Sequence, residues 1–324
     1  MEIGSYLELD INKTGEWYSG TNNIARLNSA RAGIYHAFRL LDCSVLYLPY
    51  YICPTVTKFL ESKGVVLKRY SINEKFEPQV THIEVNACIV MVNYFGILSS
   101  KFLAKYVNLF EKVIIDNGPA FFNPPLEGCY SVYSSRKFFG VPDGCYVIGN
   151  QAEKYTEEYK NDFSSETSLF LFKRHEVGSG AAYEDRMKNE NRIDSSDILN
   201  MSKLTHTLLK GINYDSIKRS RRSNFDFCLK QYEHLNLLDV GMHLDESCVP
   251  MVYPLVIEQK NLMEKLRERQ IFTGRWWNHV LNEVEPNTFE AWLSNYMLPL
   301  PVDQRYSSVE LELVFSELTN VLGI

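Results

Sequence analysis

Residues 112–149, KVIIDNGPAFFNPPLEGCYSVYSSRKFFGVPDGCYVIG, decide the fold class of this 324-residue chain. The run VIID at 113–116 is apolar up to its last residue, which is typical of a strand buried on both faces of a parallel sheet. YSVYS at 130–134 predicts a second strand, and CYVIG at 145–149 predicts a returning strand after the turn PDG. The stretch therefore predicts adjacent strands with two residues that could take part in catalysis, Asp116 and Lys137, at or just beyond their ends.

The sequence around this stretch alternates apolar runs with amphipathic segments, which indicates strands joined by crossover helices. Further strands are predicted at 45–49, from 65 and at 88–92, and helices at 30–41, 54–63 and 99–111. The C-terminal part continues with a strand in VPMVYPLVI, a helix in NLMEKLRERQI and a last helix from about residue 307. We expect an α/β protein with a mostly parallel central sheet, a large domain over residues 1–215 and a smaller C-terminal α/β domain over residues 216–324.

Composition excludes several classes of protein. The chain carries 34 Lys and Arg against 40 Asp and Glu, a net charge of −6, which argues against a chain-wide surface for nucleic acid or an anionic membrane. The seven cysteines contain no C-x-x-C pair, so neither a zinc knuckle nor a redox motif is present, and we expect reduced thiols in the cytoplasm. No apolar run approaches the roughly 20 residues that span a bilayer.

Asp116 and Lys137 are the main candidates for catalysis. Asp116 lies at the carboxyl end of an apolar strand, where ligands of open α/β sheets bind, and a buried carboxylate needs a cationic or hydrogen-bonding partner. The alternative for Asp116 is a turn aspartate in IDNG. A desolvated lysine forms Schiff bases with carbonyl cofactors, but Lys137 taken alone is more simply a solvated surface residue.

Two further segments could bind anions. LNSARAGI places small residues and Arg31 at a helix start, where free backbone N–H groups can bind phosphate, although an ordinary N-cap also explains Ser29. The basic run IKRSRRSNF is most simply a solvated helix face, with contact to an anionic substrate as the alternative. The motifs G-x-S-x-G, GxGxxG, Walker A and H-E-x-x-H are all missing, so hydrolase, dinucleotide and metal sites lack support.

Taken in order, the segments resemble the DegT/DnrJ/StrS family of sugar aminotransferases, which use pyridoxal 5'-phosphate (PLP) and have the PLP-transferase type I fold, in three layers. The resemblance runs from about residue 20 to the end. NSARAGIYHAF resembles the family's Ser-Gly-Thr-x-Ala-Leu helix start, VNYFG its V-H-x-x-G, and IDNGPAFF its D-x-A-Q/H-A. YSSRKFFGVPDGCYV resembles F-x-x-x-K-x-x-x-x-G-E-G-G, and RRSNF and LPLPVDQRYS resemble the C-terminal domain.

The resemblance implies roles for individual residues. Lys137 would bind PLP as a Schiff base and, once released, act as the base that moves the substrate proton. Asp116 would pair with the protonated pyridine nitrogen and keep the ring an electron sink. Ala30 and Arg31 would line the phosphate site, and Cys53 occupies the position of the aromatic residue that stacks on the ring.

The sequence also departs from the family pattern. Val132 stands where the family has its phosphate-binding serine, so we assign that role to Ser134, which on a strand faces the same way. Pro119 replaces a Gln or His, and the two tyrosines of YYIC lie next to Cys53 as possible substitutes. The family's Asn-x-Arg segment, which reaches across the dimer, is not found. Lys137 argues against the related sugar dehydratases, which have a histidine there.

The resemblance implies a cytoplasmic, homodimeric aminotransferase that takes an amino group from an amino acid, with glutamate expected. The acceptor would be a keto-sugar linked to a nucleotide, as used in polysaccharide biosynthesis, and no nucleic acid, membrane or metal partner is expected. The departures at Pro119, Val132 and Cys53 leave two alternatives open. One is a member of the family with a binding or regulatory role, and the other is a PLP enzyme that acts on a non-sugar ketone.

Overall fold

The large domain is built on one seven-stranded sheet. The computed structural model describes residues 5–12 and 14–324. The strands are β1 (Ile24–Leu27), β2 (Val45–Pro49), β3 (Val66–Tyr70), β4 (Ala87–Val92), β5 (Val113–Asn117), β6 (Tyr130–Ser134) and β7 (Cys145–Ile148). Their spatial order is β1-β7-β6-β5-β4-β2-β3. Six strands run in one direction, and β7 runs in the opposite direction. The predicted mostly parallel sheet is thus confirmed, whereas β1, with only four residues, was not predicted.

The helices connect and cover the two sheets. The first seven are α1 (Ala30–Leu41), α2 (Pro54–Ser62), α3 (Ser100–Leu109), α4 (Leu169–Ala181), α5 (Tyr183–Ser195), α6 (Lys203–Lys210) and α7 (Tyr214–Tyr232). A second, antiparallel sheet of β8 (Val252–Val256) and β9 (Met297–Pro301) is accompanied by α8 (Leu262–Glu268), α9 (Phe289–Tyr296) and α10 (Ser308–Leu322). The predicted helices α1, α2 and α3 agree with the structure to within two residues at each end. No described helix combines the length and apolar character that crossing a bilayer requires.

Strand direction brings the candidate residues to one edge of the large sheet. β5 and β6 are parallel neighbours, with Asp116 opposite Val132, so Asp116 and Ser134 lie at the same edge. β1 is parallel to them, because both β1 and β6 run antiparallel to β7, and α1 begins three residues after β1. The N-terminus of α1 therefore lies at the edge where Asp116 lies.

Packing on the two faces of this sheet produces three layers. On one face α1 approaches β6 and β7 so closely that a Cβ on Gly33 would lie 2.7 Å from Cys145 Sγ and 2.8 Å from Val132 Cγ1. On the other face Tyr133 and Tyr146 pack with Tyr18 and further aromatic side chains. Because helix and sheet nearly touch at Gly33, Val132 is a core residue of this packing.

The second sheet packs against the long helix α7, which in turn contacts α10 in the C-terminal part of the chain. Phe225 and Tyr232 of α7 contact Tyr253 of β8, and Tyr232 also contacts Phe315 of α10. The predicted domain boundary between residues 215 and 216 falls inside the first turn of α7. The division at that point stays a prediction.

Candidate active site

Asp116 is a buried carboxylate with one oxygen held in place. Its Oδ1 accepts a hydrogen bond of 2.9 Å from the backbone N–H of Gly118, the geometry of a turn aspartate. Oδ2 makes no hydrogen bond within residues 5–12 and 14–324 and is free to accept one. Burial raises the pKa of Asp116, while the nearby Lys137 and the Gly118 N–H oppose that rise. The side chain thus makes a turn and also keeps an acceptor for a cationic partner.

Lys137 lies at the end of a short helical turn, Ser135–Lys137, directly after β6. The turn is fixed because the Phe138 and Phe139 N–H groups donate to Ser135 O, at 3.1 and 2.9 Å. Both phenylalanines are buried against Phe121, and this packing holds the backbone next to Lys137 in place. Lys137 itself is exposed in the single chain, unlike the desolvated lysine considered from the sequence.

Gly118 leaves open the space beside both groups. A Cβ at this position would lie 2.8 Å from Asp116 Oδ1 and 3.4 Å from Lys137 Nζ. A separation of 2.8 Å is shorter than van der Waals contact permits, so any larger residue would displace the carboxylate. The role of Gly118 was not predicted from the sequence, although a glycine two residues after an aspartate at the end of a strand is a signal for it.

The N-terminus of α1 offers unpaired backbone donors. The side chain of the N-cap Ser29 accepts from Ala32 N at 3.4 Å, and the first turn holds no acidic residue. The N–H groups of Ala30 and Arg31 donate to no acceptor in the described part of the chain. Free N–H groups at a helix N-terminus favour an anion.

The side chain of Arg31 is already engaged. Its guanidinium donates to Asp194 at 2.6 Å and to the carbonyl of Ile193, and it lies over the ring of Phe59. The structure therefore leaves the backbone N–H of Arg31, and not its guanidinium, for the predicted phosphate site.

Ser134 is buried at the carboxyl end of β6, and its side chain makes no hydrogen bond within the described residues. The next residue, Ser135, has a buried hydroxyl oxygen that lacks a partner in the same set of residues. Buried hydroxyl groups are normally paired, so unpaired ones at a strand end favour a ligand there. Ser134 lies at the same sheet edge as Asp116, whereas Val132 is packed against α1.

Cys53 is the N-cap of α2 and is half-buried, with its Sγ 3.2 Å from Thr55 Oγ1. Of the two tyrosines considered as substitutes, Tyr51 is fully buried and donates to Trp276 O at 2.9 Å. Tyr50 lies beneath the guanidinium of Arg69. Neither the cysteine nor the tyrosines are placed against Asp116 by any contact in the described residues, and the ring-stacking position stays a prediction.

A cavity of about 970 Å³ opens beside Lys137. Its lining combines aromatic and aliphatic side chains with six Lys or Arg residues and three carboxylates. The excess of positive charge is local, because the whole chain carries −6. In size and in its mix of apolar and polar groups the cavity fits a small-molecule site next to the lysine. Of the candidate cofactor residues only Lys137 lines it, whereas Asp116, Ser134, Ala30, Arg31 and Cys53 do not. No cluster of three or more His, Cys, Asp or Glu suited to a metal occurs among the described residues.

Solved structures share this architecture over nearly the whole chain. NtdA from Bacillus subtilis, with the bound cofactor PMP, matches with a TM-score of 0.63 at 14% identity, covering 94% of this chain and 74% of that one. A sugar aminotransferase from Micromonospora echinospora matches with a TM-score of 0.61 at 13% identity over 93% and 88%. A DegT/DnrJ/EryC1/StrS aminotransferase from Brucella abortus matches with a TM-score of 0.60 at 12% identity over 95% and 88%.

The chain has the PLP-transferase type I fold. The fold predicted from the resemblance is thereby confirmed, including its mostly parallel central sheet and its smaller C-terminal part. At 12% to 14% identity the likeness concerns the fold, and the roles of individual residues depend on the geometry described above. No sequence-family model and no curated protein matches the chain.

Proposed function

We propose that this protein is a PLP-dependent aminotransferase. The observation that carries the proposal is the meeting of Asp116, Lys137 and Gly118 at the sheet edge where α1 begins. A pyridine aldehyde such as PLP needs a carboxylate for its ring nitrogen, an amine for its aldehyde and open space beside both. Asp116, Lys137 and Gly118 supply these three. NtdA, which has this fold, holds PMP, and a structure from Streptococcus pneumoniae with the same fold is in a PLP form.

The residues fit the ring nitrogen, the phosphate and the aldehyde of the cofactor. Asp116 Oδ2, which lacks a hydrogen bond in the described part of the chain, would accept from the protonated ring nitrogen. The N–H groups of Ala30 and Arg31, together with the Ser134 hydroxyl, would bind the phosphate. Lys137 Nζ would attach to the aldehyde carbon, and Cys53 stands at the ring-stacking position.

The bound cofactor supplies an electron sink for the bond broken at the substrate carbon. Asp116 sustains that sink because a carboxylate in a buried site holds the ring nitrogen in its protonated form. Lys137 Nζ is the base that can take a proton from the substrate carbon and return it elsewhere. The turn anchored by Phe138 and Phe139 keeps the amine in position for both transfers.

For substrates, we propose an amino acid donor, with glutamate expected, and a keto-sugar acceptor linked to a nucleotide. The sugar aminotransferase from Micromonospora echinospora supports a sugar as acceptor. The excess of positive charge around the cavity supports anionic substrates, since both glutamate and a nucleotide-sugar carry negative charge. The proposal includes a cytoplasmic role in polysaccharide biosynthesis, where such substrates are used.

We also propose that two copies of the chain associate through α4. This helix has no buried residue, and it exposes Leu169, Phe172 and Val177 to solvent at 48%, 56% and 62%. Exposed apolar faces of this kind mark interaction sites. Residues of α4 line the cavity beside Lys137, so a second copy on α4 would also exclude water from the exposed lysine.

The test is a half-reaction followed in the visible spectrum. The protein is loaded with PLP and mixed with glutamate, and we expect the absorbance of the lysine-bound cofactor to change to that of the pyridoxamine form. Lys137→Ala should lose the absorbance of the lysine-bound cofactor, while Lys101→Ala, an exposed lysine on α3, should behave as wild type. A protein that takes up PLP but does not convert it with any amino acid would have a binding role instead. A panel of keto-sugars and simple ketones then tests the acceptor.

A further inference from the structure

Arg221 of α7 is a buried cation that lines the cavity beside Lys137. Its side chain is almost fully enclosed, with 2% of its surface exposed, although the surrounding sequence IKRSRRSNF has the pattern of a solvated face. The neighbouring Arg219 is exposed. Burying a guanidinium is costly unless it gains partners for its charge and its N–H groups.

The hydrogen bonds of Arg221 involve only two of the three nitrogens of its guanidinium. Nε donates to Gln304 Oε1 at 3.0 Å, and Nη1 donates to the carbonyls of Pro250 and Met251 at 3.4 and 3.2 Å. Nη2 makes no hydrogen bond to any described residue. These bonds use Nε and Nη1 but leave Nη2 without an acceptor and pair the positive charge with no anion. Binding the carbonyls therefore does not by itself account for a buried arginine here.

No carboxylate neutralises Arg221 within the described part of the chain. Asp303 attracts Arg221 through its charge but forms no ion pair with it, because Arg305 donates to its two oxygens from Nε at 2.7 Å and from Nη2 at 2.8 Å. Arg136, another cation of the cavity, is likewise paired with Glu190. Burial lowers the pKa of Arg221 to about 10, so the side chain stays charged at neutral pH.

The orientation of Arg221 is fixed next to the lysine. Its guanidinium lies over the ring of Phe138, 4.4 Å from the ring centre, and Phe138 directly follows Lys137. Gln304 joins the two, because it accepts from Arg221 and donates to Phe138 O at 2.9 Å. A guanidinium held in this way loses little entropy when it binds a planar oxyanion.

We propose that Arg221 binds an oxyanion of the substrate, a carboxylate or a phosphate, in the cavity beside Lys137. The proposal rests on the proposed aminotransferase function and adds a residue of the C-terminal part of the chain that selects substrates by charge. Either the carboxylate of the amino donor or a phosphate of the acceptor would supply the ligand, and both suit the planar donor group of arginine.

Equilibrium titration with two unreactive probes tests the proposal. Glutarate carries the carboxylates of the donor without its amino group, and UDP carries the phosphates of a nucleotide-linked acceptor without the sugar. We expect wild-type protein and Arg219→Met, the matched control on the same helix, to bind at least one probe with equal Kd. Arg221→Met should bind that probe about 10- to 100-fold more weakly, as loss of a charge-assisted contact predicts.

The pattern of loss identifies the source of the anion. Weakening confined to glutarate assigns the donor carboxylate to Arg221, and weakening confined to UDP assigns a phosphate of the acceptor. Unchanged binding of both probes in Arg221→Met overturns the proposal, and so does a wild-type protein that binds neither probe. If thermal melting shows that Arg221→Met does not fold, Arg221→Gln replaces it, since its amide can still donate to the carbonyls but carries no charge.

The titration also separates this proposal from the proposed function. Neither probe can react, so binding is measured without turnover. Failure of the half-reaction with every amino acid, together with normal binding at Arg221, would reject the aminotransferase and retain the anion site. A working half-reaction with binding unchanged in Arg221→Met would do the reverse.

Discussion

Asp116 Oδ1 and Lys137 Nζ both lie within 3.4 Å of the position that a Cβ on Gly118 would occupy. The two residues are 21 positions apart in sequence and come from the ends of adjacent parallel strands. Nothing larger than glycine fits beside both groups without displacing one of them. This relationship is the basis of the first two predictions.

Gly118→Ala should weaken cofactor binding while leaving the fold intact. The added methyl group would meet the Asp116 carboxylate at 2.8 Å, and relieving that contact costs on the order of 1–3 kcal/mol. We therefore expect PLP to bind about 10-fold more weakly or worse, as measured by titration of its absorbance. Gly140→Ala is the control, because its nearest contact would be an ordinary 3.7 Å from Leu171. Equal affinity in both variants would contradict the position assigned to the cofactor.

Asp116→Asn should retain PLP but lose roughly 10²- to 10³-fold in kcat, since an amide cannot hold the ring nitrogen protonated. The control is Asp239→Asn, which alters an exposed aspartate that accepts from a glycine two residues later in the same way. Full activity in Asp116→Asn would reject its role.

The same variant has a second expected effect, on stability. Burial raises the pKa of Asp116, so the wild-type fold is destabilised relative to the unfolded chain as pH rises above the ordinary range of a carboxyl group. Asparagine has no such cost. Without cofactor, Asp116→Asn should therefore melt at a higher temperature than wild type at pH 7, and the two should converge at acidic pH. A lower melting temperature at pH 7 would show that the carboxylate is stabilising.

Glu16→Gln should destabilise the fold in a pH-dependent way. Burial alone would raise the pKa of Glu16, but the contact with His206 and the hydrogen bonds from Arg26 and Tyr146 lower it from 4.5 to about 2. A depressed pKa contributes stability above about pH 4.5 that is lost as pH falls toward 2. After discounting for solvent near the pair, we expect a loss of about 2 kcal/mol at pH 7 in urea unfolding.

The difference between wild type and Glu16→Gln should shrink steadily below pH 4.5. Glu84→Gln removes one partner of an exposed ion pair with Lys68 and serves as the control, with little change at any pH. A constant difference across the pH range would mean that Glu16 acts through packing and not through charge.

Phe172→Glu should dissociate the proposed dimer. Phe172 is exposed on α4, a helix without buried residues, and a charge in an apolar interface is strongly unfavourable. Leu313→Glu makes the same change at an exposed apolar residue of α10 and should leave the dimer intact. Sedimentation velocity distinguishes the species. A wild-type monomer would reject the dimer, and a dimer unaffected by Phe172→Glu would place the interface elsewhere.

Local patterns were sufficient for most of the large sheet. β2 and α1 have the bounds expected from the sequence, because their apolar spacing and the adjoining Pro49 and Ser29 mark both period and ends. β1 was not predicted, since four residues with two buried positions carry too little pattern. The LFLF run that begins α4 contains no buried residue, and its Leu169 and Phe172 are exposed.

An aspartate ending one apolar run and a lysine following the next strand could be read from the sequence alone, because apolar periodicity marks each strand and helix along the chain. Packing between distant segments set how individual side chains are used. It turned Arg31 toward Asp194, packed Val132 against Gly33 and enclosed Arg221 in the wall of the cavity. Those outcomes depend on which distant segments share a space, and the period of a single helix or strand does not encode its partners.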